Sequence, residues 1–367
     1  MMYPPRFCLK IPLTALLIIF VYVLFLPSRY KDEADLSLPL LIDPQVLTCP
    51  SCPIQDNQSV VFASLDHGSL PQNVVLFEVH DNPGKDYLLF ERDGKQRIVR
   101  RFTTREIPFL GITVRVPEDP ARFIWEWNRG RLKICANVTV NRQSEKRVIP
   151  LGFVDDLAEL RDLFVAHNVT PLLFGGTLLG WYRECSFIPH TTDVDFAVLA
   201  EEHSGRLDAS LENSNDFRLF WRIGKWHDCY EFSLFRKGTK IDVFYVYSRT
   251  NSTQSYCCGA IIAKRQKVIF GLPRISTDEI CAADLLGRLM YVPCNVEEVI
   301  LGEYGDSWRE DHHSDHYSGS NIAKNIIRVD ELSEKEFEGV VQYVHRYAEI
   351  MSALDGWNVF RVFGRYI

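Results

Sequence analysis

The sequence predicts an α+β protein: a mixed sheet with flanking helices, preceded by a small β-rich unit and an N-terminal transmembrane helix. Three observations carry this. An uncharged apolar run fills residues 11–26. Runs rich in β-branched and aromatic residues then recur from Val60 to about Val140, the composition that suits pleated strands. After the polar stretch "NRQSEKR" (141–147) the texture changes to helical spacing alternating with short apolar runs.

With 367 residues the chain is long enough for two domains. Its formal charge of −7, without a long basic stretch, excludes a sequence-independent nucleic-acid binder, which needs a basic face. No period of about 20–50 residues marks a solenoid or propeller.

As a helix, residues 11–26 span about 24 Å, short of a hydrocarbon core of about 30 Å. Phe7, Cys8 and Leu9 bring the run to length if Lys10 snorkels to the headgroups. Pro27 stands where a cleavage site would be sought, which favours an uncleaved anchor over a signal peptide. Flanking charges tie, with Arg6 and Lys10 before the run and Arg29 and Lys31 after it. Four sequons, at Asn57, Asn137, Asn168 and Asn251, and nine of the ten cysteines follow the run. Both favour a lumenal, oxidising compartment for the remainder of the chain. The expected order is a cytosolic tail (1–10), an anchor (11–26), a stem (27–58), a β-rich accessory domain (59–145) and a C-terminal domain (146–367). Nine cysteines leave at least one without an intrachain partner, and Cys49 with Cys52 reads as a disulfide rather than half a zinc site.

In the accessory region, "VVLFEV" (74–79), "YLLFE" (87–91), "RIVRRF" (97–102), "ITVRV" (112–116) and "FIWEW" (123–127) read as strands. Asp93-Gly94 supplies a hairpin turn. Trp125 and Trp127 read as core or interface residues rather than a sugar platform.

In the C-terminal domain, Phe153, Leu157, Leu160 and Phe164 predict an amphipathic helix over 151–167. "TPLLF" (170–174) predicts a buried strand, Gly175-Gly176 a turn, "TLLGWYR" a short helix and "DVDFAVL" (193–199) the next strand. "FRLFWRI" (217–223), "YEFSLF" (230–235) and "KIDVFYVY" (240–247) follow as strands. Asn295 with Glu298, and Ser333 with Glu336, have capping-box spacing for helices over 296–303 and from 333 to about Leu354.

Asp193 and Asp195 leave the same face of a strand. Two carboxylates about 5 Å apart repel by roughly 3 kcal/mol at an effective dielectric near 20. A hard divalent cation, Mg²⁺ or Mn²⁺, relieves that repulsion. Asp242, within an apolar strand, is costly to bury unless paired or metal-bound, and beside 193–199 it would complete a three-carboxylate site for phosphoryl transfer. Gly175, Gly176 and Thr177, at a strand-to-helix turn, read as a cradle for donor phosphate. The ordered set is the pattern of a nucleotidyltransferase fold.

The blocks "GTLLGWYRECSFIPHTTDVD", "KIDVFYVY" and "VPCNVEEVILGEYGDSW" resemble, in the same order, those of fukutin-like members of the LicD-type phosphotransferase family. The resemblance covers roughly residues 150–310 and implies that 146–367 is the catalytic domain. It also implies metal-dependent transfer of a phospho-alcohol, ribitol 5-phosphate in the fukutin-like case, from a CDP-linked donor to a hydroxyl of a protein-bound O-mannosyl glycan. The family's cation-holding carboxylates map onto Asp193, Asp195 and Asp242. A type II protein of the Golgi or endoplasmic reticulum membrane follows, as does association with other lumenal glycan-processing enzymes.

Arg183 is a further candidate for the diphosphate, with an ordinary salt bridge as the alternative. Lys225 and His227, in a loop between strands, are weaker candidates, and the His/Asp cluster at 311–316 reads as a solvated loop rather than a zinc site. Trp181 and Tyr182 read as packing residues, and Cys185 and Cys294 as disulfide-bonded or buried. A GT-A glycosyltransferase also uses D-x-D with Mn²⁺, but requires a repeated βα pattern before that motif, which is not evident here. A non-catalytic lumenal scaffold retaining the fold is the other competing class.

Overall fold

The computed structural model describes residues 38–49, 59–64, 74–142, 144–248, 254–261, 265–312 and 324–343. The apolar run at 11–26, and Asn57 and Asn251, lie outside them. Among the described residues no helix is long and apolar enough to cross a membrane.

The first sheet is built from β1 (Leu40–Leu41), β2 (Val60–Ser64), β3 (Val74–Asp81), β4 (Tyr87–Arg92), β5 (Lys95–Arg100), β6 (Thr104–Phe109) and β7 (Ile112–Pro117), in the order β5-β4-β3-β2-β1-β7-β6. An interior strand, β1, between β2 and β7, comes from the segment read as stem. Asp43 fixes the exit from β1: one carboxylate oxygen accepts from the Gln45 and Val46 amides that open α1 (Pro44–Thr48), and the other accepts from the Val61 amide of β2. Asp93 and Gly94 both have positive φ (50° and 71°), the left-handed pair that a tight β4–β5 hairpin demands.

The "FIWEW" segment is not a strand. It lies within α2 (Pro120–Arg129), started by Asp119, whose side chain accepts from the Arg122 amide, and by Pro120 in the first turn. That cap-and-proline signal outweighs the β propensity of the aromatics. Helical spacing sends Phe123 and Trp127 into the core of the first sheet. Trp125 instead packs edge-on against Tyr291, with the Arg129 guanidinium 4.1 Å from its ring centroid. Both tryptophans are packing residues, as read.

The second unit contains β8 (Leu132–Lys133), α3 (Phe153–Ala166), β9 (Leu172–Leu173), α4 (Gly175–Glu184), β10 (Asp193–Leu199) and α5 (Gly205–Glu212). Then come β11 (Arg218–Lys225), β12 (Asp228–Arg236), β13 (Thr239–Ser248), β14 (Gln254–Ile261), β15 (Gln266–Pro273), β16 (Ile280–Leu285) and β17 (Arg288–Pro293). Last are α6 (Val296–Tyr304), β18 (Ile326–Glu331), α7 (Glu334–Val340) and β19 (Val341–Tyr343). The sheet runs β18-β15-β14-β13-β10-β9-β17-β16-β8, and a branch β12-β11-β19 leaves from β13. It is mixed: β10 pairs parallel with β13 and antiparallel with β9. One apolar face of α3 (Leu157, Leu160, Phe164) is fully buried in the same core as Val194, Phe196 and Val198 of β10. The α+β class and the mixed sheet with flanking helices are as expected.

The two units are joined by polar contacts, some buried and some half-exposed. Arg161 of α3, 2% exposed, bonds the Asp86 carboxylate at 2.8 Å and the Leu289 carbonyl. Lys85 and Tyr87 both donate to Asp284, at 2.8 and 2.7 Å.

Two helix ends differ from expectation. Asn295 makes no capping box; its amide donates to Glu298 and to the Arg274 carbonyl. The Ser333–Glu336 box is present, but the helix it opens stops at Val340 and Val341 begins β19 against β11. Gly339 followed by β-branched Val340 and Val341 weakens the last turn, and the open edge of β11 offers backbone partners instead.

Disulfides join Cys135 to Cys185, Cys229 to Cys258 and Cys281 to Cys294, while Cys257 is a buried free thiol. Cys185 and Cys294 are thus bonded, and among the described residues Cys257 is unpaired, in keeping with the odd count. Cys49 is also disulfide-bonded.

Candidate active site

The site is set by register. In the parallel pair β10–β13, Asp195 stands directly opposite Asp242, and Asp193 opposite Lys240. On the other side of β13, Ser233 of β12 stands opposite Asp242. Directly opposed residues share a face, so all five side chains lie on one side of the sheet, joined by Glu231, two residues before Ser233. Carboxylate oxygens of Asp193, Asp195 and Asp242 come within 4.8 Å of one another. The sequence-predicted triad is therefore assembled.

The triad is largely withdrawn from water: Asp242 is 1% exposed and Asp193 9%. Burial, then the charges of Asp193, Asp242 and Glu303, push the Asp195 carboxyl well above the usual carboxylate range. Burial also raises Asp242, against the pull of Lys240. Ser233 Oγ donates to Asp242 Oδ1 at 2.5 Å, and Lys240 Nζ to Oδ2 at 2.7 Å. Lys240 is itself raised, because Asp242 and Asp193 outweigh the cost of burying its ammonium. Three clustered acidic side chains with only oxygen donors fit a hard divalent cation.

The glycine pair does something other than expected. Gly175 and Gly176 form the first turn of α4 rather than a turn before it. The Gly176 amide donates to Asp195 Oδ2 at 3.1 Å, and the Asp195 amide donates to Thr177 Oγ1 at 2.9 Å. The Phe174 amide closes the wrap on the Asp195 carbonyl at 3.1 Å. The anion at this helix N-terminus is Asp195 itself, where the orphan amides and the helix dipole favour it. Thr177, 3% exposed, positions Asp195 by accepting its amide on Oγ1.

Arg183 is also committed elsewhere. Its guanidinium, 2% exposed, bonds Glu184 and the carbonyls of Trp308 and Glu310. Beside it Arg142 makes two 2.8 Å bonds to Glu184, and His190 Nε2 lies 3.0 Å from Asp311. Against the effect of burial, His190 and Arg142 hold the Asp311 carboxyl below its ordinary range. This network clamps the 308–311 segment onto α4, the salt-bridge alternative. Of the His/Asp cluster, Asp311 belongs to that clamp, and 313–316 lie outside the described residues.

Lys225 and His227 sit at the β11–β12 turn, where the Tyr247 hydroxyl reaches the Trp226 carbonyl. Tyr247 is five residues along β13 from Asp242, about 16 Å at strand rise, so the turn is remote from the triad. Trp181 is buried with its indole N–H on the Asp284 carbonyl, and Tyr182 packs on Trp308; both are packing residues. Asn137 is exposed, whereas the side-chain Oδ1 of Asn168 accepts from Arg122 and Thr170 of its sequon is fully buried.

Three groups at the site escaped the sequence reading: Lys240, Ser233 and Glu231. The signal was present in "YEFSLF" and "KIDVF", where polar residues at even spacing interrupt apolar strands. Glu231 is 1% exposed, and among the described residues neither of its carboxylate oxygens has a hydrogen-bond partner. Burial and then the Asp242 charge push it up to about 8.

Comparison with known proteins agrees with this geometry. Residues 168–295, from the strand preceding α4 through β17, match the family model described as LicD/FKTN/FKRP, nucleotidyltransferase domain. Two uncharacterized proteins of Caenorhabditis elegans, W02B3.4 and T07A5.1, are 34% and 32% identical over 269 and 272 residues. Each alignment covers 71% of this chain, with 68% and 70% of the relative. Human ribitol-5-phosphate transferase FKTN is 28% identical over 222 residues, 56% of this chain and 45% of that protein, so the match spans about half its length. With the D-x-D strand, the partner aspartate and the Gly-Gly helix all inside the matched region, the chain belongs to the LicD/FKTN/FKRP family.

Proposed function

We propose that this chain is a metal-dependent glycan phosphotransferase: it moves a phospho-alcohol, ribitol 5-phosphate by likeness to FKTN, from a CDP-linked donor to a glycan hydroxyl. The observation that carries the reading is the convergence of Asp193, Asp195 and Asp242 from two paired strands, with ligand oxygens within 4.8 Å. A protein-bound O-mannosyl glycan is the proposed acceptor.

Asp193, Asp195 and Asp242 would hold Mg²⁺ or Mn²⁺, which when bound supplies positive charge to the donor diphosphate. The α4 N-terminus fixes Asp195 through Gly176 and Thr177, and Ser233 fixes Asp242. Such fixed geometry lowers the reorganisation needed during reaction. Attack by the acceptor oxygen on the transferred phosphorus breaks the bond to CMP. Where Asp242 is not engaged by the cation, it is the carboxylate placed to take the hydroxyl proton.

Three disulfides among the described residues support a lumenal, oxidising location. We assign the chain on that basis to the secretory pathway, as a type II protein anchored through 11–26, in the Golgi or endoplasmic reticulum.

The test is CMP release with Mn²⁺ or Mg²⁺ from CDP-ribitol, CDP-glycerol and CDP-choline, with and without a phosphorylated O-mannosyl glycan. Acceptor-dependent release that disappears in Asp195→Asn and on chelation is expected. Turnover retained by a folded Asp195→Asn protein refutes the assignment. Release from a UDP-sugar but from no CDP-alcohol would instead favour a glycosyltransferase.

A further inference from the structure

The cation site has a built-in competitor. Lys240 Nζ sits 2.7 Å from Asp242 Oδ2, the carboxylate that completes the triad, and Ser233 occupies the other oxygen. An ammonium and a divalent cation drawn to one carboxylate repel each other, and the neighbourhood is too dry to screen them. Loading of the cation therefore requires somewhere for the ammonium to go.

The carboxylates of Asp242, Asp193, Asp195 and Glu231 all act on Lys240. Asp242, Asp193 and Asp195 form the triad. Glu231 stands outside it, on the same sheet face, at the strand position diagonal to Asp242. Its side chain is 1% exposed and both its oxygens lack hydrogen-bond partners among the described residues. A buried carboxylate without a donor is costly, so a receiving position for a cationic group is already in place. Gly259 on β14 lies beside it: a Cβ there would stand 3.8 Å from Glu231 Oε2, an ordinary contact. Lysine, with four methylenes and a rotatable ammonium, is suited to such a transfer.

We propose that Glu231 and Lys240 are positioning residues for cation loading: Lys240 guards Asp242, and transfers its ammonium to Glu231 when a divalent cation takes Asp242. The inference rests on the triad being a cation site, as proposed above.

The test is a double-mutant cycle read by Mn²⁺ titration calorimetry on the full chain at pH 8: wild type, Glu231→Gln, Lys240→Met, the double variant and Asp195→Asn. Glu231→Gln removes the receiving charge and is expected to weaken Mn²⁺ binding by about tenfold or more. Lys240→Met removes the competitor and should bind at least as tightly as wild type. The double variant should return to within about threefold of Lys240→Met, because the two residues act through each other. An unchanged constant in Glu231→Gln, or a loss that persists fully in the Lys240→Met background, overturns the transfer; the second result would make Glu231 a direct ligand. Should Glu231→Gln fail to fold, Glu231→Met in both backgrounds gives the same cycle. Absence of Mn²⁺ binding in the wild type, or binding unchanged in Asp195→Asn, would remove the cation site itself and the transfer with it.

Discussion

Gly175 is the position where a single methyl group tests the site most sharply. Its φ is +48°, and a Cβ built there lies 2.9 Å from Asp195 Oδ2 and 3.2 Å from Asp195 Cγ. Gly175→Ala therefore meets two costs. The left-handed backbone disfavours any L side chain by about 1–2 kcal/mol. Relieving the clash to an ordinary contact of about 3.4 Å then moves the Asp195 carboxylate by about half an ångström from its place on the Gly176 amide. Where a 1 Å misplacement costs about a hundredfold in rate, half of that is worth about tenfold. Gly176→Ala is the control, since its Cβ would stand 3.7 Å from the same oxygen, with no positive φ. Urea denaturation should show Gly175→Ala less stable by about 1–2 kcal/mol, with CMP release slowed about tenfold or more and Mn²⁺ binding weakened. Gly176→Ala should sit close to wild type in both. Wild-type stability and rate in Gly175→Ala, or equal damage from both substitutions, would refute the idea that the glycine pair exists to let Asp195 approach the helix.

Cys135–Cys185 closes a separation of 50 residues, for which loop entropy gives a stabilisation of about 4 kcal/mol. Replacing both cysteines with serine should lower the urea midpoint accordingly, and a loss under about 1 kcal/mol would show the bond to be thermodynamically idle. Glu231 makes stability depend on pH with a definite sign. Its carboxyl holds a proton up to about 8 in the native protein, against 4.5 as the ordinary value. Between those limits the native state binds more protons than the unfolded chain, so this group's contribution declines as pH rises. Glu231→Gln should remove that component and gain on wild type between pH 6 and pH 8. A constant difference in urea midpoint across that range would contradict it.

Much of the site was legible because strands have a period of two. That period placed Asp193 and Asp195 on one face, and the apolar setting of Asp242 marked it as a charge needing a partner. The hairpin at Asp93-Gly94 and the box at Ser333–Glu336 were equally local, each a few residues whose own backbone and side chains settle the conformation. Local signals also misled: the aromatic run at 123–127 has strand composition, yet Asp119 and Pro120 start a helix there.

What the sequence determined by itself, then, was the set of carboxylates and the face that each strand shows. Tertiary structure decided which groups meet. The parallel pairing of β10 with β13 brings Asp242 opposite Asp195 across a sequence separation of 47, and the β12 register adds Ser233 and Glu231. It also put Asp195, not a ligand phosphate, on the α4 amides and turned Arg183 to the 308–311 clamp. Such pairings follow from which apolar faces bury one another. A run of residues fixes its own periodicity, whereas register between distant strands depends on the packing of the whole sheet.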